Sequence, residues 1–360
     1  MHVTRLEIRN LRRFTELVLR PATGINLLLG DNGAGKTSVL EALHLMAYGR
    51  SFRGRVRDGL IRNGESALEV FVEWQELASG PARRAGLRHA GHDWTGRLDG
   101  VAVTHLGDLC AALAVVSFEP GSHALITGSS EHRRRFLDWG LFHVEPHFLR
   151  LWRRYARALK QRNALLKQRA TSDQLEAWDH ELAEAGEPLS RDRQRYLDAV
   201  QPYFADLINE WVPALGSVRL RYQPGWRRDD LSLADALLLA RDRDVAAGFT
   251  SVGPHRADWG ILFGSIPSRD ALSRGQAKLT ALAALMGQAA HYTEALGRWP
   301  VMAFDDLASE LDRHHQRRVL DRLNLTGAQI FITGTDAPAA LGDIRHAMFH
   351  VEHGQLLPTE

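Results

Sequence analysis

The sequence predicts an α/β fold organised around a phosphate-binding loop and interrupted by a helical insertion. Three observations predict it. The stretch Gly30-Asp31-Asn32-Gly33-Ala34-Gly35-Lys36-Thr37 follows a short apolar run and opens a helical pattern. An α/β pattern returns after about residue 250 and contains a second apolar run, Val301 to Phe304, that ends in Asp305-Asp306. Between them, roughly 131–245, the periodicity is helical. Strands alternating with helices argue a largely parallel sheet. The chain therefore divides into 1–130 with the glycine-rich loop, a helical lobe at 131–245, and 246–360, which completes the first part.

Residues 1–30 read as strands. Val3, Leu6, Ile8 and Leu11 nearly alternate, and Ile25 to Leu29 is an apolar run ending at Gly30. From Gly35 the pattern turns helical through Val39, Leu40, Leu43 and Met46, with Gly49 as the stop. Residues 65–118 read as strand-rich: Leu68, Val70 and Val72 alternate, as do Val101 and Val103, and Leu113 to Phe118 is apolar. Pro146 to Arg169 reads as one long helix with Phe148, Leu149, Trp152, Tyr155, Ala156 and Leu159 on a face. Further helical patterns cover about 174–186, 190–211 and 233–247, with no strong strand signal in this third. A helix at 275–296, a strand at 299–304, a helix at 312–323 and a strand at 328–333 follow.

Composition bounds the rest. With 360 residues, two domains are the natural expectation at roughly 100–200 residues each. A hydrophobic fraction of 44% suffices for a packed core. No stretch approaches the ~18 consecutive apolar residues of a membrane span, and Met1 to Ile8 carries charges where a signal peptide needs an apolar run. The expectation is a soluble cytoplasmic protein without a membrane partner. Cys110 is the only cysteine, so an internal disulfide and a cysteine-rich zinc site are excluded. The net charge of +2 decides nothing about nucleic acid.

The chemistry gathers in four pieces. The first has the form G-x-x-x-x-G-K-[ST] in the strand–loop–helix context that a P-loop requires. Its glycines let backbone N–H groups wrap phosphates, and the helix N-terminus adds partial positive charge. Lys36 is placed for the β- and γ-phosphates of ATP and Thr37 for Mg²⁺. The second is Val301-Met302-Ala303-Phe304-Asp305-Asp306. Asp305 at the strand end suits the Mg²⁺ shell and Asp306 the attacking water, although many buried strands end in Asp for no catalytic reason. The third is Leu272-Ser273-Arg274-Gly275-Gln276 before the 275–296 helix; Ser273 alone suits an ordinary N-cap. The fourth is Ala308-Ser309-Glu310-Leu311-Asp312.

In this order the four pieces resemble the heads of ABC-type ATPases. The resemblance implies an inserted-lobe P-loop ATPase head in which two copies trap ATP between them. Ser273, Gly275 and Gln276 of one head would then touch the nucleotide on the P-loop of the other. The wide separation of Gly30 from Leu272 resembles the SMC and RecF branch rather than a transporter ATPase subunit, which remains the main rival. The insertion is too short for SMC coiled-coil arms and lacks sustained heptads, although another SMC-like ATPase stays a possible reading. Four local strings resemble the RecF family: Leu6 to Phe14, Gly49 to Arg53, Arg134 to Trp139, and Val252 to Asp258. Membership implies a weak, DNA-stimulated ATPase of recombinational repair and replication restart. It implies a homodimer when ATP-bound that clamps single-stranded gaps and ss/ds junctions, and work with RecO and RecR to load RecA in the SOS response. A third reading, an interaction module that binds ATP without turnover, is opposed by the paired acids Asp305-Asp306.

Some family features have no obvious counterpart. Phe331-Ile332-Thr333-Gly334-Thr335-Asp336 lacks the usual switch histidine, leaving Thr333 or Thr335 as replacements. Phe118-Glu119-Pro120 stands in the region of the Q-loop, and Arg12 or Arg13 stands as the adenine contact. Residues 131–170 hold eleven Lys or Arg against three acids. Such a stripe suits phosphate contacts of single- and double-stranded DNA, with Arg150, Arg153, Arg154, Arg157 and Lys160 as candidates; a solvated helix face is the bland alternative. His143 and His147 lack the acid of a zinc-protease motif, and His314-His315 reads as surface. For His255 a structural role is favoured over nucleotide sensing.

Overall fold

Alternating apolar residues make β1 (His2–Leu11) and β2 (Phe14–Leu19) a hairpin, joined at Arg12-Arg13 with Arg12 at φ 55°. The computed structural model describes residues 1–53, 59–77, 80–91, 93–168 and 171–357. Next come β3 (Ile25–Leu29), α1 (Lys36–Tyr48), β4 (Leu68–Gln75), β5 (Ala82–Ala90), β6 (Asp93–Leu98), β7 (Val101–Val103), α2 (Leu106–Ala112) and β8 (Val115–Phe118). Then follow α3 (Ala124–Thr127), α4 (Ser130–Val144), α5 (Phe148–Lys167), α6 (Ser172–Trp211), β9 (Val218–Gln223), α7 (Leu233–Ala247), β10 (Asp258–Phe263) and α8 (Arg274–Leu296). The chain closes with β11 (Val301–Phe304), α9 (Leu307–Glu310), α10 (Arg313–Asn324), β12 (Ile330–Gly334), β13 (His346–Glu352) and β14 (Gln355–Leu357).

Two units result: Met1–Ser122 with Tyr292–Glu360, and His123–His291. The first holds two six-stranded sheets. One, in the order β2-β1-β4-β5-β6-β7, is antiparallel. The other runs β14-β13-β3-β12-β11-β8 and is parallel except for β14. Helix α1 is buried almost all round, through Val39, Leu40, Leu43 and Met46 but also Ser38, Glu41 and His44. Its apolar residues share one core with residues of both sheets, including Leu6, Ile8, Val70, Leu28 and Phe331. Gln329 ties the sheets by polar bonds as well: its Oε1 accepts from Val3 N–H at 2.7 Å and its Nε2 donates to Val3 O at 2.9 Å. The parallel order places β3 centrally, so the loop after it opens at the carboxyl edge, where such sheets bind ligands.

In the second unit the long helices α5 and α6 pack as a pair, and β9 with β10 forms an antiparallel ribbon. Several expectations change here. The patterns at 174–186 and 190–211 are one forty-residue helix that carries Pro188 and Pro202 inside it. Proline removes one backbone bond and favours a break, but the packed apolar face of α6, including Leu182, Leu189, Leu197 and Phe204, continues through both sites. Strand β9 was hidden by its arginines: Val218, Leu220 and Tyr222 are buried and alternate with exposed Arg219 and Arg221. On α5 the buried stripe is Phe148, Tyr155, Ala158, Arg162 and Leu166, whereas Trp152 is exposed. Arg169 lies outside the described residues. The unit also extends further than 131–245, taking in β10 and most of α8.

Candidate nucleotide site

The loop Gly30–Gly35 can adopt its shape only with glycine at three positions. Gly30, Gly33 and Gly35 have φ of 148°, 80° and 117°. A Cβ on Gly30 would stand 2.1 Å from Val351 O, and one on Gly35 would stand 2.9 Å from the Phe14 ring. Helix α1 starts immediately afterwards with no side-chain cap and no acid in its first turn, which leaves its N-terminal N–H groups for an anion. Lys36, only 9% exposed, curls back so that Nζ donates to Gly30 O at 2.6 Å and Asp31 O at 2.8 Å.

Opposite Lys36 the two acids take different environments. Asp305 ends β11 and is buried. Its Oδ1 accepts from the Thr37 hydroxyl at 2.7 Å and from the Thr333 hydroxyl, also at 2.7 Å. Asp306 sits in the left-handed region, φ 54° and ψ 44°, as the residue before α9. Its N–H donates to Thr333 Oγ1 at 2.9 Å, and its Oδ2 accepts from the Ser309 hydroxyl at 2.6 Å. Ser309 belongs to the predicted Ala308–Asp312 string, which Gln316 anchors by donating to Ala308 O and Leu311 O. Asp312 caps α10 by accepting from His315 N–H at 3.0 Å. Its carboxyl lies below the usual range because of the His315 backbone bond and side chain, so the His315 side chain reinforces the cap that Asp312 provides.

Lys36, Thr37, Asp305, Asp306 and Thr333 line a cavity of about 290 Å³ together with Asn32, Gly33, Ser38, Arg12, Arg13, Arg53 and Thr335. Arg12 is held by Glu41 of α1 through two bonds, Nε to Oε2 at 3.0 Å and Nη2 to Oε1 at 2.8 Å. The Glu41 side chain is fully buried and also accepts from the Ser51 hydroxyl. Glu41 escaped the sequence reading; a lone acid between Leu40 and Ala42 on a buried helix was the available signal. His44, stacked on Tyr48 with ring centres 4.0 Å apart, is held neutral by burial, with its pKa lowered to about 3. Glu119 turns back onto its own loop, accepting from Gly121 N–H at 2.7 Å. Burial pushes the Cys110 thiol up to about 12, so it is inert at neutral pH.

Ser273, Gly275 and Gln276 stand at the N-terminus of α8, in the second unit. Ser273 Oγ accepts from Gln276 N–H at 3.2 Å while Gln276 Oε1 accepts from Ser273 N–H at 2.9 Å, a reciprocal capping box. Ser273 and Gly275 are exposed, and a Cβ on Gly275 would meet nothing within 4 Å.

The family model described as the RecF/RecN/SMC N terminal domain matches residues 2–353. The DNA replication and repair protein RecF of Stenotrophomonas maltophilia (strain R551-3) is 66% identical, over 99% of both chains. The chain belongs to the RecF family. The protein of the same name from Xanthomonas axonopodis pv. citri (strain 306) is 64% identical, over 99% of this chain and 98% of that one. A solved complex of the recombination mediator RecF with ATP superposes with a TM-score of 0.89 at 25% identity, covering 100% of this chain and 98% of that one. The fold is thus that of an SMC/RecF-type ABC ATPase head, and the transporter reading is set aside. Among the described residues no helix is long and apolar enough to cross a membrane.

The RecF-like string Val252 to Asp258 is a hub of the second unit. Arg133 of α4 donates to both Asp258 oxygens, at 2.6 and 3.0 Å. Arg134 donates to Ala257 O at 2.8 Å, and Arg193 of α6 to Pro254 O at 2.7 Å. His255 donates from Nε2 to Thr250 O at 2.9 Å, so its Nδ1 accepts from the Tyr155 hydroxyl at 2.7 Å. Arg162, fully buried, donates to Asp179 and Asp244 at 2.5 and 2.7 Å. Several arginines of the basic stripe therefore hold the RecF-type lobe together. Arg150, Arg153, Arg157 and Lys160 are exposed on α5; Arg154 is exposed too but engages Glu181 at 2.7 and 2.8 Å.

Proposed function

We propose that the protein is a DNA-stimulated ATPase of recombinational repair and replication restart, in which ATP joins two heads over DNA and hydrolysis releases them. The observation that carries this reading is the meeting of Thr37, Asp305 and Lys36 around one cavity beneath the P-loop, although Asp305 lies far from the loop in sequence. Backbone N–H groups from Gly30 to Thr37 would cradle the phosphates, and Lys36 would exchange two carbonyls for the β- and γ-phosphates. Thr37 and Asp305 present adjacent hard oxygens that fit Mg²⁺, which binds through one or two protein oxygens plus phosphates and water. When bound, that ion neutralises charge on the phosphates. Asp306 would orient the attacking water. Arg13, beside Gly33, and the anchored Arg12 would meet the rest of the nucleotide.

Ser273, Gly275 and Gln276 would form a second anion site for the nucleotide of a partner head. Arg150, Arg153, Arg157 and Lys160 would meet DNA phosphates without sequence preference, favouring single-stranded gaps and ss/ds junctions only through the geometry of the closed pair. Work with RecO and RecR to load RecA, a part in the SOS response and a cytoplasmic setting complete this reading, which membership of the RecF family supports. Sedimentation with ATP and DNA each present and absent tests the core of the proposal. Dimers should require ATP, and ATP turnover should rise when DNA is added. A chain that stays monomeric with ATP and DNA together would overturn the two-head mechanism.

A further inference from the structure

We propose that Thr333 is a positioning residue for hydrolysis, its hydroxyl locking Asp306, which lines the cavity, in its left-handed backbone. The inference rests on the reading of Asp306 as the water-orienting acid. The Thr333 hydroxyl has one proton. Asp305 is an acceptor, so that proton goes to Asp305 Oδ1 at 2.7 Å. The oxygen's lone pair then accepts the Asp306 N–H at 2.9 Å. One buried atom, on a side chain 2% exposed, thereby joins the carboxylate of the first acid to the backbone of the second.

The link matters because Asp306 adopts φ 54° and ψ 44°, a region that L residues other than Asn and Asp seldom enter. Ser309 holds the carboxylate end at 2.6 Å, and Thr333 holds the amide end. One bond thus holds the backbone of Asp306 and the other its carboxylate. Thr333 is delivered by β12, which pairs with β11 in the register Phe304↔Ile332 and so brings residue 333 beside the two acids. Thr335, the other residue in the place of the usual switch histidine, is exposed and lines the cavity.

A double-mutant cycle tests the link. Single-turnover hydrolysis and, separately, ATP and ADP affinity are measured for the full chain, Thr333→Val, Asp306→Asn and the double variant. Thr333→Val removes both bonds of the hydroxyl and should lower the hydrolysis rate constant at least tenfold, roughly tenfold being the size of one lost hydrogen bond to a catalytic element. Nucleotide affinity should hold within about twofold, since no phosphate contact is removed. Thr333→Ser, which keeps the hydroxyl, should restore the rate. In the Asp306→Asn background Thr333→Val should cost much less than it does alone, because its action through Asp306 is already gone and only its bond to Asp305 is left to lose. Multiplicative losses, a serine variant as slow as the valine one, or an unchanged rate in Thr333→Val would each overturn the proposal. If Asp306→Asn itself hydrolyses at the normal rate, the reading of Asp306 fails instead. Thr333→Ala takes the place of Thr333→Val in the cycle if the valine variant does not fold, and the same outcomes decide.

Discussion

Replacing His255 with glutamine removes an imidazole whose pKa is lowered to about 4, chiefly by burial. The hydrogen bonds require the neutral ring, with Nε2–H on Thr250 O and Nδ1 accepting from Tyr155. Because the folded pKa lies below the unfolded value near 6.5, the unfolded chain takes up the proton first. The stabilisation is therefore complete above about pH 6.5 and is lost as the pH falls toward about 4. A shift from 6.5 to about 4 amounts to about 3 kcal/mol, somewhat less where water reaches the ring. Glutamine keeps an N–H for Thr250 and gives up the Tyr155 bond, which costs about 1 kcal/mol at neutral pH. The variant should then be the less stable protein at pH 7.5 and the more stable one below about pH 6. Urea unfolding at pH 7.5, 6 and 5, followed by circular dichroism, reads both effects. Parallel losses in the two proteins across that range would refute the buried neutral histidine. ATP turnover at pH 7.5 separates the two roles weighed for His255: retained turnover marks a structural residue, and turnover lost without loss of stability marks nucleotide sensing.

Lys36→Ala should abolish tight ATP binding or hydrolysis, whereas Lys36→Arg should bind ATP and hydrolyse it poorly, because a planar guanidinium does not replace a compact ammonium; equilibrium binding and steady-state turnover distinguish them. Ser273→Arg puts bulk and charge on an exposed helix start. It should leave ATP binding to the single chain nearly intact, block ATP-dependent dimerisation in the ultracentrifuge and weaken DNA binding; a variant that still dimerises argues against a shared nucleotide. Glu41→Gln leaves the Arg12 guanidinium without its buried anion, and should destabilise the protein by about 2–3 kcal/mol, below the full cost of breaking a wholly buried pair because Arg12 is partly exposed. Thermal melting reads the stability, and a rise in KM for ATP alongside it would show that Arg12 is held for the nucleotide.

The elements legible in the sequence are those whose residues announce their surroundings. Val301 to Phe304 is apolar at every position because β11 is buried on both faces, and the P-loop glycines stand where no Cβ fits. The unreadable parts are those where a charged residue does the work of an apolar one. Arg162 occupies a core position on α5, paid for by Asp179 and Asp244 from distant segments, so a hydropathy pattern assigns it to water. The same blindness inflated the basic stripe, since Arg133 and Arg162 are spent on internal carboxylates. Trp152 errs in the opposite direction, an aromatic at helical spacing that ends up exposed.

At the nucleotide site the divide is between chemistry and support. Lys36, Thr37, Asp305 and Asp306 are recognisable because the roles proposed for them, toward phosphates, a hard cation and an attacking water, restrict which side chains could stand there. Glu41 and Thr333 obey no such restriction; the sequence offered Thr333 only as one of two stand-ins for the switch histidine, and both residues are set by the groups that they hold. A threonine on a buried strand is ordinary, and only the register of β11 with β12 turns it into the partner of two acids. The left-handed backbone of Asp306 was equally invisible, because Asp accepts that conformation without the glycine that would have flagged it. That choice of residue has a consequence. A glycine would reach the turn more easily but carry no carboxylate, and a glutamate, poorly suited to the left-handed region, would place its carboxylate one methylene further out. At this turn aspartate meets both demands, the backbone and the charge, and Thr333 and Ser309 hold the two ends of that compromise in place.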